Sequence, residues 1–285
     1  PGADPTQWHS LITDSTAEPL WTAAGHTVTM SPSTLQTLQD CPLRWLLERH
    51  GGRNADGLRS AAGSLIHALI AEPGKTPAQR AAELEAVWTD LPFDSEWFSR
   101  NELARHLAML ETFATWREDT RGALTEVGTE VDVDGVLAPA PCADGETPGP
   151  AVRVRGRVDR LERDAEGRLV IVDVKTGKSP VSKDDAQRHA QLALYQLAVA
   201  NGMAPADGGP GGGRLVYLGK PSAGGATERE QDPMLAQTAE HWRGQVAGAA
   251  AATAGPQFVA RVNTGCSHCP VRSSCPAHRP EQETS

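Results

Sequence analysis

Two aspartates and a lysine are spaced so that they can meet at one end of a β-hairpin. Asp159 lies in a segment where apolar and polar residues alternate, and Asp173 and Lys175 end a second segment rich in valine and isoleucine. If the intervening turn is centred near residues 165–166, antiparallel pairing places Asp159 opposite residue 172 or 173. Asp173 and Lys175, two residues apart, then share one face. Two carboxylates beside a lysine favour a divalent cation next to a phosphate group.

Arginines follow the same alternation on the strand that leads to the first aspartate. Arg153, Arg155 and Arg157 have the parity of Asp159, although the chain as a whole carries a net charge of −9. One interpretation is a solvated strand face, and the other is contact with the phosphates of a nucleic-acid backbone. Their position beside the two carboxylates favours phosphate contact.

Five cysteines are present, and four of them form a candidate set of metal ligands, with three close together and one far upstream: Cys41, Cys266, Cys269 and Cys275. The odd total and the lack of a signal peptide argue against disulfides of the secreted type. Four thiolates suit structural zinc or an iron–sulfur cluster, and the spacing does not decide between them. His268 and His278 keep zinc open. Cys142, in a loop over 135–150, is expected to be inert.

Periodicity predicts a small mixed α/β core with a helical preface. The predicted order is helices, three strands, a helix, a strand and a helix. We expect an extended lead-in over 1–30, one domain over 31–278 and a tail over 279–285. Within that domain we expect three parts: a helical preface over 31–120, a catalytic α/β core over 121–232, and a C-terminal helix with the cysteines over 233–278. The first helix begins after Ser31, helices are also expected over 61–71, 77–90, 96–119, 184–200 and 233–253, and strands over 123–134, around Asp159, over 169–174 and over 214–218.

Five motifs in order resemble the RecB-type nuclease branch of the PD-(D/E)xK superfamily, in particular its iron–sulfur members. They are a helix histidine (His67), Gly-x-x-Asp (ending at Asp159), Asp-x-Lys (Asp173 and Lys175), Gln-x-x-x-Tyr (Gln191 and Tyr195) and the four cysteines. Each motif is weak alone, and their common order makes the resemblance specific. It extends from about Ser31 to Cys275. The segment 31–45 looks most like the C-terminal nuclease domain of an actinobacterial AdnB helicase–nuclease subunit.

The resemblance implies a fold, a set of ligands and roles for the residues. The fold is a central mixed sheet flanked by helices, with the cysteines stapling the N- and C-terminal parts through a [4Fe–4S] cluster. Mg²⁺ or Mn²⁺ is held by His67, Asp159, Asp173 and the Val174 carbonyl. Lys175 orients or deprotonates the attacking water. Gln191 and Tyr195 position phosphate or water, or else Tyr195 is a packed core residue; Glu130, on the first strand, is a further candidate.

The implied activity is hydrolysis of DNA, single-stranded ends included, in a helicase–nuclease that resects double-strand breaks. A Walker-type phosphate loop is not found in this sequence. The motor domains are therefore expected in preceding sequence and in the partner subunit of a heterodimer. No apolar run reaches the roughly 18 residues of a membrane span, and a cytoplasmic location is expected. The alternatives are an inactive DNA-binding scaffold, a stand-alone exonuclease of the CRISPR-adaptation type, and a zinc-bound structural adaptor.

Overall fold

The structure is a computed structural model that describes residues 16–22, 25–51, 58–139, 149–222 and 225–278. The chain divides into two compact units. The first, which we call the sheet unit, comprises Asp56–Gly135 and Val154–Trp242. The second, the cysteine unit, comprises Pro1–Ala55, Val136–Arg153 and Arg243–Ser285. The single domain expected over 31–278 stays a prediction.

Helices and strands follow the predicted order except for two additional strands and two divided helices. In chain order they are β1 (Thr27–Met30), α1 (Pro32–Asp40), α2 (Pro42–Arg49), α3 (Leu58–Ala71), α4 (Pro77–Trp88), α5 (Glu96–Thr120), β2 (Thr125–Leu137), β3 (Ala151–Arg163), β4 (Leu169–Lys175), α6 (Lys183–Gln187), α7 (Ala190–Ala200), β5 (Pro210–Ser222), β6 (Gly225–Gln231) and α8 (Ala236–Ala252). Short 3₁₀ turns follow over Thr264–His268, Arg272–Ser274 and Pro276–His278. Among the described residues, no helix is both long and apolar enough to cross a bilayer.

The sheet is mixed. β3 pairs with β4 in antiparallel fashion, β4 with β5 in parallel, and β5 with β6 in antiparallel fashion, while β2 pairs with β3. The parallel pair requires a crossover, which α6 and α7 provide. In the hairpin, Arg160 lies opposite Val172. Continued by one residue, this register sets Asp159 opposite Asp173, one of the two pairings that the sequence predicted.

The core of the sheet unit lies between the sheet and helices α3, α4 and α5. Val172 and Val216 pack there against Ile66, Leu110 and Phe113. Six of the seven residues of β4 are buried, the pattern of a strand covered on both faces. Since side chains alternate along a strand, Asp173 points away from the valines. It faces α7, where Gln191 contacts it.

Two predicted helices are each broken in the structure. Ser31 caps the first helix as predicted, but the helix ends at Asp40 and a new one starts at Pro42. Cys41 between them is extended, because a proline disfavours the helical conformation of the residue before it. The helix predicted over 184–200 is divided in the same way, since His189 is extended and caps α7.

Two strands were not predicted. β6 has the sequence Gly-Ala-Thr-Glu-Arg-Glu-Gln, which contains few strand-forming residues and is stabilised by its pairing with β5. β1 is four residues long and lies within the segment expected to be an extended lead-in. Cys142 and most of the loop expected over 135–150 lie outside the described residues.

Candidate active site

Five secondary-structure elements of the sheet unit bring the predicted site residues together. Asp159 comes from β3, Asp173 and Lys175 from the end of β4, and His67 from α3. Glu130 comes from β2 and Gln191 from the first turn of α7. These side chains form two groups that meet at the end of the β3–β4 hairpin.

The first group consists of His67, Glu130 and Asp159. One ligand atom from each lies within 4.8 Å of the others. His67 Nδ1 is 3.4 Å from Asp159 Oδ2, and that oxygen also accepts a hydrogen bond of 2.7 Å from the Val174 amide. Glu130 has a φ of 49°, in the left-handed region that residues other than glycine seldom adopt. Such strain is typical of functional sites.

The second group is a closed triangle of Asp173, Lys175 and Gln191. Lys175 Nζ lies 2.6 Å from Asp173 Oδ2, and Gln191 Nε2 donates a hydrogen bond of 2.5 Å to Asp173 Oδ1. Lys175 Nζ also donates to Gln191 Oε1 at 3.1 Å. Asp173 is only 4% exposed, and its Oδ2 has no hydrogen bond of regular geometry besides this ion-pair contact. Gln191 therefore fixes both the carboxylate and the ammonium.

The carboxylates in this site carry more negative charge than their surroundings neutralise. Burial, opposed by the charge of Lys175 and helped by the charge of Asp159, raises the pKa of Asp173 to about 6. Burial likewise raises the pKa of Glu130, with Asp159 adding to the effect. The hydrogen bond to Asp159 raises the pKa of His67. A bound cation would relieve all three effects.

Tyr195 supports β3 at the backbone. Its hydroxyl donates a hydrogen bond of 2.5 Å to the carbonyl oxygen of Arg157, two residues before Asp159. Burial raises the pKa of this hydroxyl, which therefore stays protonated. The contact matches the interpretation of Tyr195 as a packed residue with a satisfied hydroxyl.

The arginines of β3 lie on two faces. Arg153, Arg155 and Arg157 are exposed, as the alternation predicts. Arg157 donates a hydrogen bond of 2.8 Å to Asp132 and lies 3.9 Å from Glu130, so part of its charge is balanced within the protein. Arg160, which the sequence places next to Asp159, is 2% exposed and pairs with buried Glu162.

His189 was missed by the sequence analysis. Its Nδ1 is buried and has no hydrogen-bond partner among the described residues. Burial, together with the charge of Lys175, lowers its pKa to about 4, so the imidazole is neutral at pH 7. Its place two residues before Gln191 could have drawn attention to it. The sequence analysis expected one continuous helix over 184–200 and therefore did not single it out.

The four candidate cysteine ligands all lie in the cysteine unit and are free thiols. Together with His278 they line one pocket. The amides of Arg44 and Arg261 donate to Cys41 Sγ at 3.4 and 3.5 Å, and the amide of Asn263 donates to Cys266 Sγ at 3.3 Å. His278 Nε2 is buried without a partner in the described part of the chain.

The cysteine sulfurs are spread more widely than the ligand atoms of the first group. Within the described ranges, the three-residue ligand group with atoms inside 4.8 Å of one another is His67, Glu130 and Asp159, and no three of the cysteines meet that limit. A single tetrahedral zinc with Zn–S bonds of about 2.3 Å would hold its sulfurs roughly 3.8 Å apart.

Comparison with protein families identifies the class. Residues 29–276 match the model of the PD-(D/E)XK nuclease superfamily. The chain therefore belongs to this superfamily, whose members are nucleases that use divalent metal ions such as Mg²⁺. The predicted membership of the PD-(D/E)xK superfamily is thereby confirmed.

Among solved structures, the chain is similar to one described as "Crystal structure of SSO0001". The identity is 17%, the match covers 88% of this chain and 87% of that one, and the TM-score is 0.42. A search of curated proteins found no match.

Proposed function

We propose that the protein is a Mg²⁺- or Mn²⁺-dependent deoxyribonuclease, the nuclease domain of an AdnB-type helicase–nuclease that resects DNA ends in double-strand break repair. The observation that carries the activity is the juxtaposition of two groups at the hairpin end. His67, Glu130 and Asp159 offer ligand atoms to a cation, and Asp173 holds Lys175 directly beside them. Motor domains elsewhere in the full protein and a partner subunit would deliver single-stranded ends to this site.

The donor set fits a divalent cation. Mg²⁺ is usually held by one or two carboxylates together with substrate oxygens, and an imidazole suits Mn²⁺ as well. Asp159, Glu130 and His67 supply such donors, and the Val174 carbonyl and Asp173 complete the proposed set. When bound, the metal polarises the scissile phosphate and lowers the pKa of its water.

The protein groups have distinct tasks in this proposal. Lys175, held by Asp173 and Gln191, orients the attacking water and balances charge that develops on the phosphate. The Val174 amide fixes the orientation of Asp159 through its 2.7 Å hydrogen bond. Tyr195 stabilises the strand that carries Asp159. The exposed arginines of β3 bind the DNA backbone without regard to sequence.

In the cysteine unit we propose a [4Fe–4S] cluster held by Cys41, Cys266, Cys269 and Cys275. Three backbone amides already point at two of these sulfurs, as expected for ligands that carry negative charge when deprotonated. The Nε2 of His278, which has no hydrogen-bond partner among the described residues, is a further polar atom in the same pocket. The cluster has no redox role in hydrolysis and stabilises the unit.

The test is cleavage of end-labelled single-stranded DNA with Mg²⁺ or Mn²⁺. Asp173→Ala, Asp159→Ala and Lys175→Ala should each lower the rate by at least about a hundredfold, since each removes a charged group from the reacting centre. Asp185→Ala is the matched control, because this exposed aspartate pairs only with its neighbours Ser182 and Arg188 among the described contacts. Undiminished cleavage by the Asp173 variant would show that this site is not the nuclease active site.

Wild-type protein that binds DNA but never cleaves it would instead favour the inactive scaffold. Degradation of DNA by this chain alone at the rate of the complete complex would favour a stand-alone exonuclease. Co-purification of motor subunits with the full-length protein tests the helicase–nuclease assignment independently of the chemistry.

A further inference from the structure

Thr176, the residue directly after Lys175, is approached from three sides by residues of the sheet unit. On β5, a Cβ atom added to Gly219 would lie closer than 3.0 Å to the carbonyl oxygens of both Thr176 and Gly177. On α3, a Cβ at Gly63 would lie 3.2 Å from Thr176 Oγ1. On α5, Arg105 Nη1 donates a long hydrogen bond of 3.5 Å to the Thr176 carbonyl.

Gly219 is required by close approach and not by its backbone conformation. Its φ lies outside the left-handed region, where many other glycines of this chain are found. The atoms that a side chain would meet belong to the backbone, which cannot rotate aside as a flexible side chain can. Any larger residue at this position must therefore displace β5 or residues 176–177, and either change alters how the loop after Lys175 lies against β5.

Arg105 is itself held in place. Its Nε and Nη2 donate to Glu102 Oε2 at 3.1 and 2.8 Å, which fixes the plane of the guanidinium. The next residue, His106, is buried and packs against Trp88 with ring centroids 5.0 Å apart. The arginine thus extends from a rigid part of α5 to the loop after the lysine.

We propose that Gly219 and Arg105 are positioning residues that fix Lys175 through Thr176. The inference rests on the proposed nuclease function of Lys175. Consecutive Cα atoms are a fixed ~3.8 Å apart, so displacement of Thr176 is transmitted directly to its neighbour. Lys175 Nζ lies between Asp173 Oδ2 and Gln191 Oε1, at 2.6 and 3.1 Å, and neither distance tolerates a shift of about 1 Å. Misplacement by that amount costs roughly a hundredfold in rate.

The experiment compares two variants with two matched controls. Gly219→Ala displaces the loop or β5, whereas Gly209→Ala adds the same methyl group where nothing lies within 4 Å. Arg105→Ala removes the hydrogen bond to Thr176, whereas Arg100→Ala removes an exposed arginine of the same helix. Lys175 is followed by NMR of isotopically labelled lysines, assigned with Lys175→Arg. Single-turnover cleavage and binding of the same oligonucleotide in EDTA are measured in parallel.

We expect Gly219→Ala to shift the Lys175 signal and to lower the cleavage rate at saturating DNA at least tenfold, with binding in EDTA unchanged within about twofold. Arg105→Ala should act in the same direction to a smaller extent, with partial recovery in Arg105→Lys, and both controls should resemble the wild type. If the Lys175 signal does not move in either variant, the proposed positioning of Lys175 by Gly219 and Arg105 is wrong, whatever the cleavage rate. A rate loss matched by equal losses of binding and thermal stability also contradicts it. If the signal moves while wild-type protein cleaves no DNA, the positioning of Lys175 is supported and the proposed nuclease function is wrong.

Discussion

Asp173 is buried at the proposed cation site, and its burial makes the metal-free protein sensitive to pH. Its pKa in the folded state is raised to about 6 from an ordinary value of 3.8. A carboxyl group with a raised pKa favours folding when it is protonated. Its contribution is fully present below about pH 4, declines as the pH rises towards 6 and is lost above that.

Asp173→Asn should therefore stabilise the metal-free protein at pH 7.5. The rise of the pKa from 3.8 to about 6 corresponds to a ceiling of about 3 kcal/mol, and loss of the contact with Lys175 will reduce the gain. Chemical denaturation in EDTA measures it. At pH 4 the variant and the wild type should unfold at the same denaturant concentration. A variant less stable than the wild type at pH 7.5 contradicts the conclusion that burial of the Asp173 charge outweighs its contact with Lys175.

Glu130 offers a second test at the residue scale. Because its carboxylate lies within 4.8 Å of the ligand atoms of His67 and Asp159, Glu130→Gln should weaken metal binding without removing the reacting groups. We expect the Mg²⁺ concentration for half-maximal cleavage to rise at least about tenfold, as for the loss of one charged ligand contact. Glu85→Gln, at an exposed position of α4, is the control. An unchanged metal requirement would place Glu130 outside the metal site.

At the scale of elements, the β3–β4 hairpin was predictable because local signals agreed. Period-two alternation defined the first strand and a run of valine and isoleucine the second. The turn residues between them limited the register to two choices, and the structure has the one that sets Arg160 opposite Val172. The groups His67–Asp159 and Asp173–Lys175–Gln191 follow from that register and from the family motifs. The contact of Tyr195 with the Arg157 carbonyl depends on packing of α7 against the sheet, which periodicity does not specify.

The elements that sequence reasoning missed depend on distant partners. β6 has weak strand propensity and forms because β5 offers it an edge. Glu130 was named as a further candidate, but its left-handed conformation is fixed by its surroundings and could not be predicted from local sequence. Gly219 closely approaches the loop after Lys175, which lies more than forty residues earlier in the chain. A glycine in a strand indicates a close contact but does not identify the partner.

The exposed face of β3 gives a prediction about DNA binding. Joint replacement of Arg153, Arg155 and Arg157 by alanine should weaken binding to all single-stranded sequences alike. Loss of three phosphate contacts should make the slope of log K against log salt shallower by about 2. Replacement of the same three by lysine is the control, since it keeps the charge. An unaltered slope in the alanine variant would show that the face is only solvated.

At the scale of the whole molecule, residues far apart in sequence meet within the cysteine unit. The Leu43 amide donates to the Val259 carbonyl at 3.4 Å, and Asn263 Nδ2 donates to the Asp40 carbonyl at 3.1 Å. These few hydrogen bonds close a loop of more than 200 residues. Shared ligation of a cluster by Cys41 and the three late cysteines would add both loop closure and metal-binding free energy to them.

The cysteine unit and the active site should therefore fail in different ways. Cys269→Ala should give protein that lacks iron and acid-labile sulfide, is sensitive to protease and unfolds at lower temperature, because the cluster stabilises the unit that binds it. Asp173→Ala should keep iron, sulfide and solubility while losing cleavage. Cys142→Ala, at the cysteine expected to be inert, is the control and should match the wild type. Metal analysis, limited proteolysis and thermal unfolding of the full chain measure these outcomes.

The metal content of the wild-type protein separates cluster from zinc. Iron with acid-labile sulfide and little zinc is the result that the proposed cluster predicts. Stoichiometric zinc without sulfide would refute the cluster and leave the nuclease site untouched, since that site uses none of the cysteines. Equal loss of stability in the Cys269 and Asp173 variants would show that the two sites are not energetically independent, because removal of a carboxylate cannot by itself release the cysteine-bound ends of the chain.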